Sequence, residues 1–263
     1  DGKKVIHINF SSSDVDDTYF PQFDVLGDIS ENILKLCEQI TVQEHWDFNY
    51  FLRVKEEMEE HAEKYFNDDR FPILPQRTVK VVRDVLDRED IVTLDNGIYK
   101  IWFARNYKCY APKTMLLDNA LATMGAGLAS AMASKLIYPD KKVVCVCGDG
   151  GFMMNSQELE TAVRLGLDLV VIILNDSAYG MIKWKQEGMV FENFSLDYNN
   201  PDFVLYAKSY GAKGHRPDSV ESFVSTLDRC INEKGVHLID VAVDYSMNHP
   251  ILNELLKNKT CLV

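Results

Sequence analysis

The chain has 263 residues, 46% hydrophobic and 26% charged, with a formal net charge of −12. Those proportions belong to an ordinary globular protein long enough to bury a sizeable core. The acidic balance argues against nucleic acid and anionic membranes as partners. No apolar run reaches the roughly 18–20 residues that span a bilayer, and no signal-peptide pattern opens the chain, so the expected location is cytoplasmic.

In chain order, residues 4–10 (KVIHINF) read as a strand, followed by a polar turn over 11–17. Val25-Leu26-Gly27-Asp28 leads into a helix over 30–40, with Ser30 as N-cap and Ile33, Leu34 and Cys37 along one face. Residues 41–70 are charged and aromatic, and the run RVKEEMEEHAEK at 53–64 predicts a solvated helical linker. Two prolines make Phe71-Pro72-Ile73-Leu74-Pro75 an extended segment and a domain boundary. A helix from Gln76 carries Val79, Val82 and Leu86. The strand 91–94 then ends at Asp95-Asn96-Gly97, where Asn-Gly is itself a turn signal. Residues 121–127 (LATMGAG) open a helix of small residues running through Ala133.

The most informative stretch is 141–185. Residues 143–147 form a β-branched run that stops at Gly148-Asp149-Gly150-Gly151. Asn155 is placed to cap a helix, with Glu158 completing a capping box, and Gly166 ends it. A second apolar run, 169–174, stops at Asn175-Asp176. The pattern is strand, right-handed crossover helix, parallel strand. Asp149 and Asp176 then both lie beyond the carboxyl ends of parallel strands, where open α/β sheets bind ligands. Gly-Asp-Gly alone is a common strand-to-helix turn. Two nearby carboxylates, however, repel unless a cation sits between them, and glycines let backbone N–H groups approach an anion. Mg²⁺ holding a diphosphate meets both conditions.

GDG at 148–150 followed by Asn175-Asp176 resembles the thiamine diphosphate motif. The surrounding text, GDGGFMMNSQELETAVRLGL to ILND and YGMI, resembles the acetolactate synthases, and the likeness runs over almost the whole chain. The resemblance implies an α/β fold: a parallel sheet flanked by helices that binds thiamine diphosphate, preceded by the C-terminal piece of a Rossmann-like central domain. Residues 1–42 would be that piece, 43–70 a linker and 71–263 the cofactor domain. The chain would then be a fragment lacking the pyrimidine-binding domain. It would hold no catalytic residue of its own, because the activating glutamate lies on that domain of a neighbouring subunit, and alone it would be inactive.

By the same resemblance, Mg²⁺ is held by Asp149, Asp176 and the carbonyl of Ala178. The diphosphate and pyrimidine meet Asn96, Gly97, Ile98 and Tyr99, along with Gly148, Gly150 and Gly151. Thr123 and Met124 lie under the cofactor, with Met124 the wedge that bends it, although as a residue type it is also a core filler. Tyr179, Gly180 and Met181 cover it. Asp at 176, in place of the commoner Asn, and the position of Trp184 resemble the catabolic subclass. The implied reaction condenses two pyruvates to 2-acetolactate and CO₂ in a homodimer or homotetramer, with FAD left open. The alternatives are another thiamine diphosphate-dependent decarboxylase or carboligase, and a non-catalytic cofactor-binding module. No G-x-G-x-x-G follows a strand, which disfavours a dinucleotide binder. Cys37, Cys109, Cys145, Cys147, Cys230 and Cys261 show no zinc spacing and are expected as small buried hydrophobes. His45, His61, His215 and His249 are expected at the solvated surface.

Overall fold

The structure, a computed structural model, describes residues 4–13 and 21–254. It divides into two compact units, Asp1–Lys55 and Glu56–Val263.

In the first unit, β1 (Ile6–Asn9) and β2 (Phe23–Leu26) pair in parallel. Most of the expected polar turn at 11–17 lies outside the described residues. Helix α1 (Ile29–Gln39) follows. Its cap is Asp28, not Ser30: the Asp28 carboxylate accepts the Glu31 N–H at 2.9 Å from an extended backbone, which leaves Ser30 inside the first turn. An acid there also complements the helix dipole. Helix α2 (Asn49–Glu63) buries no residue, as its charge pattern predicts, and the division between the units falls within it.

The second unit is built on one sheet. In chain order its elements are α3 (Pro75–Val85), β3 (Ile91–Leu94), α4 (Tyr99–Asn106), β4 (Met115–Leu116), α5 (Ala126–Ile137), β5 (Val143–Gly148), α6 (Asp149–Met154), α7 (Glu158–Arg164), β6 (Leu169–Asn175), α8 (Gly180–Gly188), α9 (Phe203–Ser209), β7 (Lys213–His215), α10 (Val220–Asn232) and β8 (Val236–Ala242). The six strands run β4-β3-β5-β6-β8-β7, and every pair is parallel. A π-helical turn, Pro250–Glu254, is the last described element; any tail beyond it lies outside the described residues.

Both faces of the sheet are covered, and strand alternation sorts the core into two layers. Val144, Val146, Val170, Ile172, Leu174 and Val241 face one layer, with Val79 and Val82 of α3, Phe103 of α4 and Phe223 and Leu227 of α10. Val143, Cys145, Cys147, Val171, Ile173 and Leu238 face the other, with Leu128 and Ala131 of α5, Leu159 of α7 and Phe203 of α9. Central strands buried on both sides explain why 143–147 and 169–174 read as continuous apolar runs. Each such side chain contributes about 1.5–3 kcal/mol.

Three local expectations are corrected. Asn155 does not cap a helix: α6 begins at Asp149, inside the expected turn, and Asn155 closes it, while α7 starts at Glu158 without a side-chain cap. The Asn155 side chain is drawn away to donate to the Gly125 carbonyl at 3.0 Å. Cys37 and Cys109 are exposed, unlike Cys145, Cys147 and Cys230; Cys261 lies outside the described residues. His215 and His249 are not simply solvated. The His249 Nδ1 is buried without a partner, and His215 Nε2 lies 3.2 Å from Nδ1 of the fully buried His237. The two imidazole centroids are 5.5 Å apart, the separation expected when two rings point nitrogen to nitrogen along one line. That is a hydrogen bond, and the Cys230 thiol lies within 4.8 Å of the two histidines' ring nitrogens.

Two predictions follow from the packing. Ile172→Ala, in the centre of the sheet, is expected to cost about 2–5 kcal/mol in urea unfolding, whereas Leu205→Ala on the exposed face of α9 stays within about 0.5 kcal/mol. Burial holds His215 and His237 below the ordinary histidine value, with Arg229 and Lys213 adding like charge and Glu233 opposing. The folded chain therefore refuses protons that the unfolded chain takes up. Stability from this pair is present above about pH 6.5 and lost as the pH falls through it. His215→Gln is expected to lose less stability between neutral and acidic pH than the wild type, measured by urea melts at each pH.

Candidate functional site

A cavity of about 220 Å³ opens at the carboxyl ends of the strands. The register pairs Gly148 with Leu174, so β5 and β6 stop within one residue of each other, and the chain delivers Asp149 and Asp176 to the same crevice. Asn96, Gly97, Ile98 and Tyr99 line it from the β3–α4 junction, with Met124 on the loop before α5. Gly148, Asp149, Gly150 and Gly151 line it from the end of β5 and the start of α6. Asp176, Ala178, Tyr179, Gly180 and Met181 line it from the segment leading into α8. Of the residues expected here, Thr123 is not among the lining: it is exposed and its hydroxyl donates to the Leu121 carbonyl at 2.9 Å. Tyr99, expected in a loop, is the first residue of α4. Trp184 packs against the core layer of α3, α4 and α10.

Ile182, which continues the covering segment, also lines the cavity, as do Leu174 and Tyr245, which were not anticipated. Tyr245 had a signal in the sequence, because it leaves the end of a strand, β8, that neighbours β6. The hydroxyls of Tyr99 and Tyr245 are buried and have no hydrogen-bond partner. A buried phenol without an acceptor is costly, so these two donors fit a ligand bearing oxygen acceptors.

The carboxylates are held under electrostatic tension. Asp149 is 1% exposed, and burial raises its proton affinity against the opposing hydrogen bonds from Asn200 and Gly150. Burial, then the charge of Asp149, pushes Asp176 up to about 7. No lysine or arginine lines the cavity among the described residues. A proton on Asp176 or a divalent cation between the two acids could relieve this repulsion. Asp149, Asp176 and the Ala178 carbonyl are the oxygens that could hold such a cation, with the acceptors of a phosphate-bearing ligand completing the set.

A third buried acid shapes the opposite wall. Both Asp95 oxygens accept the Gly125 N–H at 2.9 Å, and Oδ1 also accepts the Asn96 N–H at 2.6 Å. Asn96 donates in turn to the Ala122 carbonyl at 3.0 Å. Gly125 has φ 90°, and a Cβ on Gly127 would fall 2.8 Å from the Asp95 Cβ. Only glycines allow the loop so close, and the result is to set Met124 against the cavity. Asp95→Ala should orphan these N–H groups and cost about 1–3 kcal/mol in urea unfolding, with a larger loss than for Asp95→Asn.

The family profile described as the thiamine pyrophosphate enzyme, C-terminal TPP binding domain, matches residues 95–241. The chain is 33% identical over 97% of its length to "Acetolactate synthase" of Bacillus subtilis, covering 45% of that protein. It is 28% identical over 95% of its length to "Acetolactate synthase, catabolic" of Raoultella terrigena, again covering 45%. Against "Acetolactate synthase large subunit" of Lactococcus lactis it is 27% identical, with 92% of this chain and 42% of that protein covered. The chain thus spans a little under half the length of these relatives. With the profile matched over more than half of its residues and these proteins alike from end to end of the shared region, the chain belongs to the thiamine pyrophosphate-dependent acetolactate synthase family.

Proposed function

We propose that this chain is the cofactor-holding part of an acetolactate synthase that condenses two pyruvates to 2-acetolactate with release of CO₂. The observation that carries the reading is the pair of buried carboxylates, Asp149 and Asp176, meeting in a cavity lined by unpartnered donors and no cationic side chain. In this reading Asp149, Asp176 and the Ala178 carbonyl hold Mg²⁺, and the cation neutralises the diphosphate of thiamine pyrophosphate. The Tyr99 and Tyr245 hydroxyls and the backbone at 96–99 and 150–151 bind the remaining oxygens. Met124 supports the cofactor from the α5 side, and Tyr179 to Ile182 exclude water from the other. Bound there, thiamine pyrophosphate supplies the electron sink that decarboxylation of a 2-keto acid requires.

No glutamate lines the cavity among the described residues, so the acid that activates the pyrimidine comes from elsewhere in the complete enzyme. In this reading the chain is part of a longer polypeptide, as its coverage of under half of its relatives' length supports, and that polypeptide assembles as a homodimer or homotetramer in the cytoplasm. Asp at position 176, and a relative named as catabolic, favour the catabolic subclass.

The test is product analysis of the complete polypeptide with pyruvate, thiamine pyrophosphate and Mg²⁺. Acetolactate is expected; acetaldehyde with CO₂ would make it a decarboxylase instead, and no pyruvate consumption would leave only cofactor binding. Asp149→Ala is expected to abolish Mg²⁺-dependent retention of thiamine pyrophosphate in equilibrium dialysis, while Asp176→Asn, which keeps an oxygen ligand, retains it. Full retention by Asp149→Ala removes the cation site as drawn.

A further inference from the structure

The loop over residues 189–202, between α8 and α9, folds back onto the proposed cation site. Its second half is fastened by backbone. Ala178 and Asp197 form an antiparallel bridge, the Tyr179 N–H donates to the Leu196 carbonyl at 3.0 Å, and the Tyr198 N–H donates to the Ser177 carbonyl at 3.1 Å. The Lys183 ammonium reaches Asp197 at 3.1 Å, and the rings of Tyr179 and Tyr198 pack with centroids 4.9 Å apart.

Two side chains of this strap then reach the oxygens that would ligate the cation. The Tyr198 hydroxyl donates to the Ala178 carbonyl at 3.3 Å and lies close enough to the Asp149 carboxylate to feel its charge. Asn200 Nδ2 donates to Asp149 Oδ2 at 2.6 Å and to Asn175 Oδ1 at 3.0 Å. Gly150 keeps the route open: a Cβ there would stand 2.6 Å from the Tyr198 hydroxyl and 3.0 Å from the Tyr179 ring. The absence of a side chain in the middle of GDG thus admits the strap.

We propose that Tyr198 and Asn200 are positioning residues of the cation site, aiming Asp149 and coupling the strap over 195–200 to cation binding. This rests on the reading of Asp149, Asp176 and Ala178 as cation ligands. A carboxylate offers about four lone-pair sites, so the two hydrogen bonds from Gly150 and Asn200 leave Asp149 room for a metal. The phenol has a single proton. With the Ala178 carbonyl free, the hydroxyl donates there; once a cation takes that carbonyl, the proton turns to Asp149 and keeps the carboxylate oriented. Groups that hold a ligand in this way are worth about 10–100-fold in metal affinity.

The test reads metal directly. Mn²⁺, a paramagnetic stand-in for Mg²⁺, is titrated into the chain at fixed thiamine pyrophosphate, and free Mn²⁺ is counted from its electron paramagnetic resonance signal. Tyr198→Phe and Asn200→Ala are each expected to raise half-saturation by about tenfold or more, with thermal unfolding in EDTA close to wild type. Unchanged half-saturation in both folded variants overturns the proposal, as does a shift confined to stability in EDTA, which marks a purely structural strap. Tighter Mn²⁺ binding by Tyr198→Phe overturns it too, since the hydroxyl would then compete with the cation. If Tyr198→Phe does not fold by circular dichroism, Asn200→Ala decides. Failure of the wild type to take up Mn²⁺ removes the cation site itself, an outcome distinct from normal uptake that neither variant alters.

Discussion

Two like charges delivered to one crevice set the constraint on which the rest of the molecule depends. β5 and β6 are adjacent, parallel and in a register that pairs Gly148, the last residue of β5, with Leu174, one residue before the end of β6. The chain therefore leaves both strands at nearly the same height, and the next residues to carry charge are Asp149 and Asp176. Burial makes each carboxylate harder to ionise, and the first makes the second harder still. The arrangement is maintained by a sheet buried on both faces, whose two apolar layers fix the strand ends rigidly enough to hold the charges in place.

The walls of the cavity are built by polar groups acting on backbone. Asp95 gathers the N–H groups of Asn96 and Gly125, and Asn155 takes the Gly125 carbonyl from the other side. The loop carrying Met124 is clamped between α6 and the end of β3. Opposite it, the segment 177–179 is zipped to the strap at 196–198 by backbone hydrogen bonds on either side of Ala178, and the Tyr198 hydroxyl donates to the Ala178 carbonyl. Ser177 sits at φ 52° to make this turn, a conformation non-glycine residues rarely adopt. Strain of that kind at a strand end, beside buried acids, is consistent with a ligand-binding role.

Local patterns made much of this legible in advance. The strands 91–94, 143–148 and 169–175 stand where their apolar runs place them, because a strand buried on both sides tolerates little else. The structure adds that Asp202 and Ser219 cap α9 and α10, their side chains accepting N–H groups of the first turn. The capping of α7 was misread because two partners competed for Asn155. A box with Glu158 is favoured locally, and the Gly125 carbonyl, thirty residues away in sequence, is invisible to a local rule. His215 was misread for the same reason: its partner His237 belongs to the neighbouring strand.

By itself the sequence determined the parallel α/β class, the positions of the two acids at strand ends and the family motif that joins them, since these rest on periodicity and spacing along the chain. Only the tertiary structure decided that the two strands are immediate neighbours and in what register. It also decided that Tyr245 enters the cavity, and that Tyr198 and Asn200 return across a loop to the Ala178 carbonyl and Asp149. Those contacts join residues far apart in sequence through hydrogen bonds whose energy depends on distance and angle, and neither is written in the order of the residues.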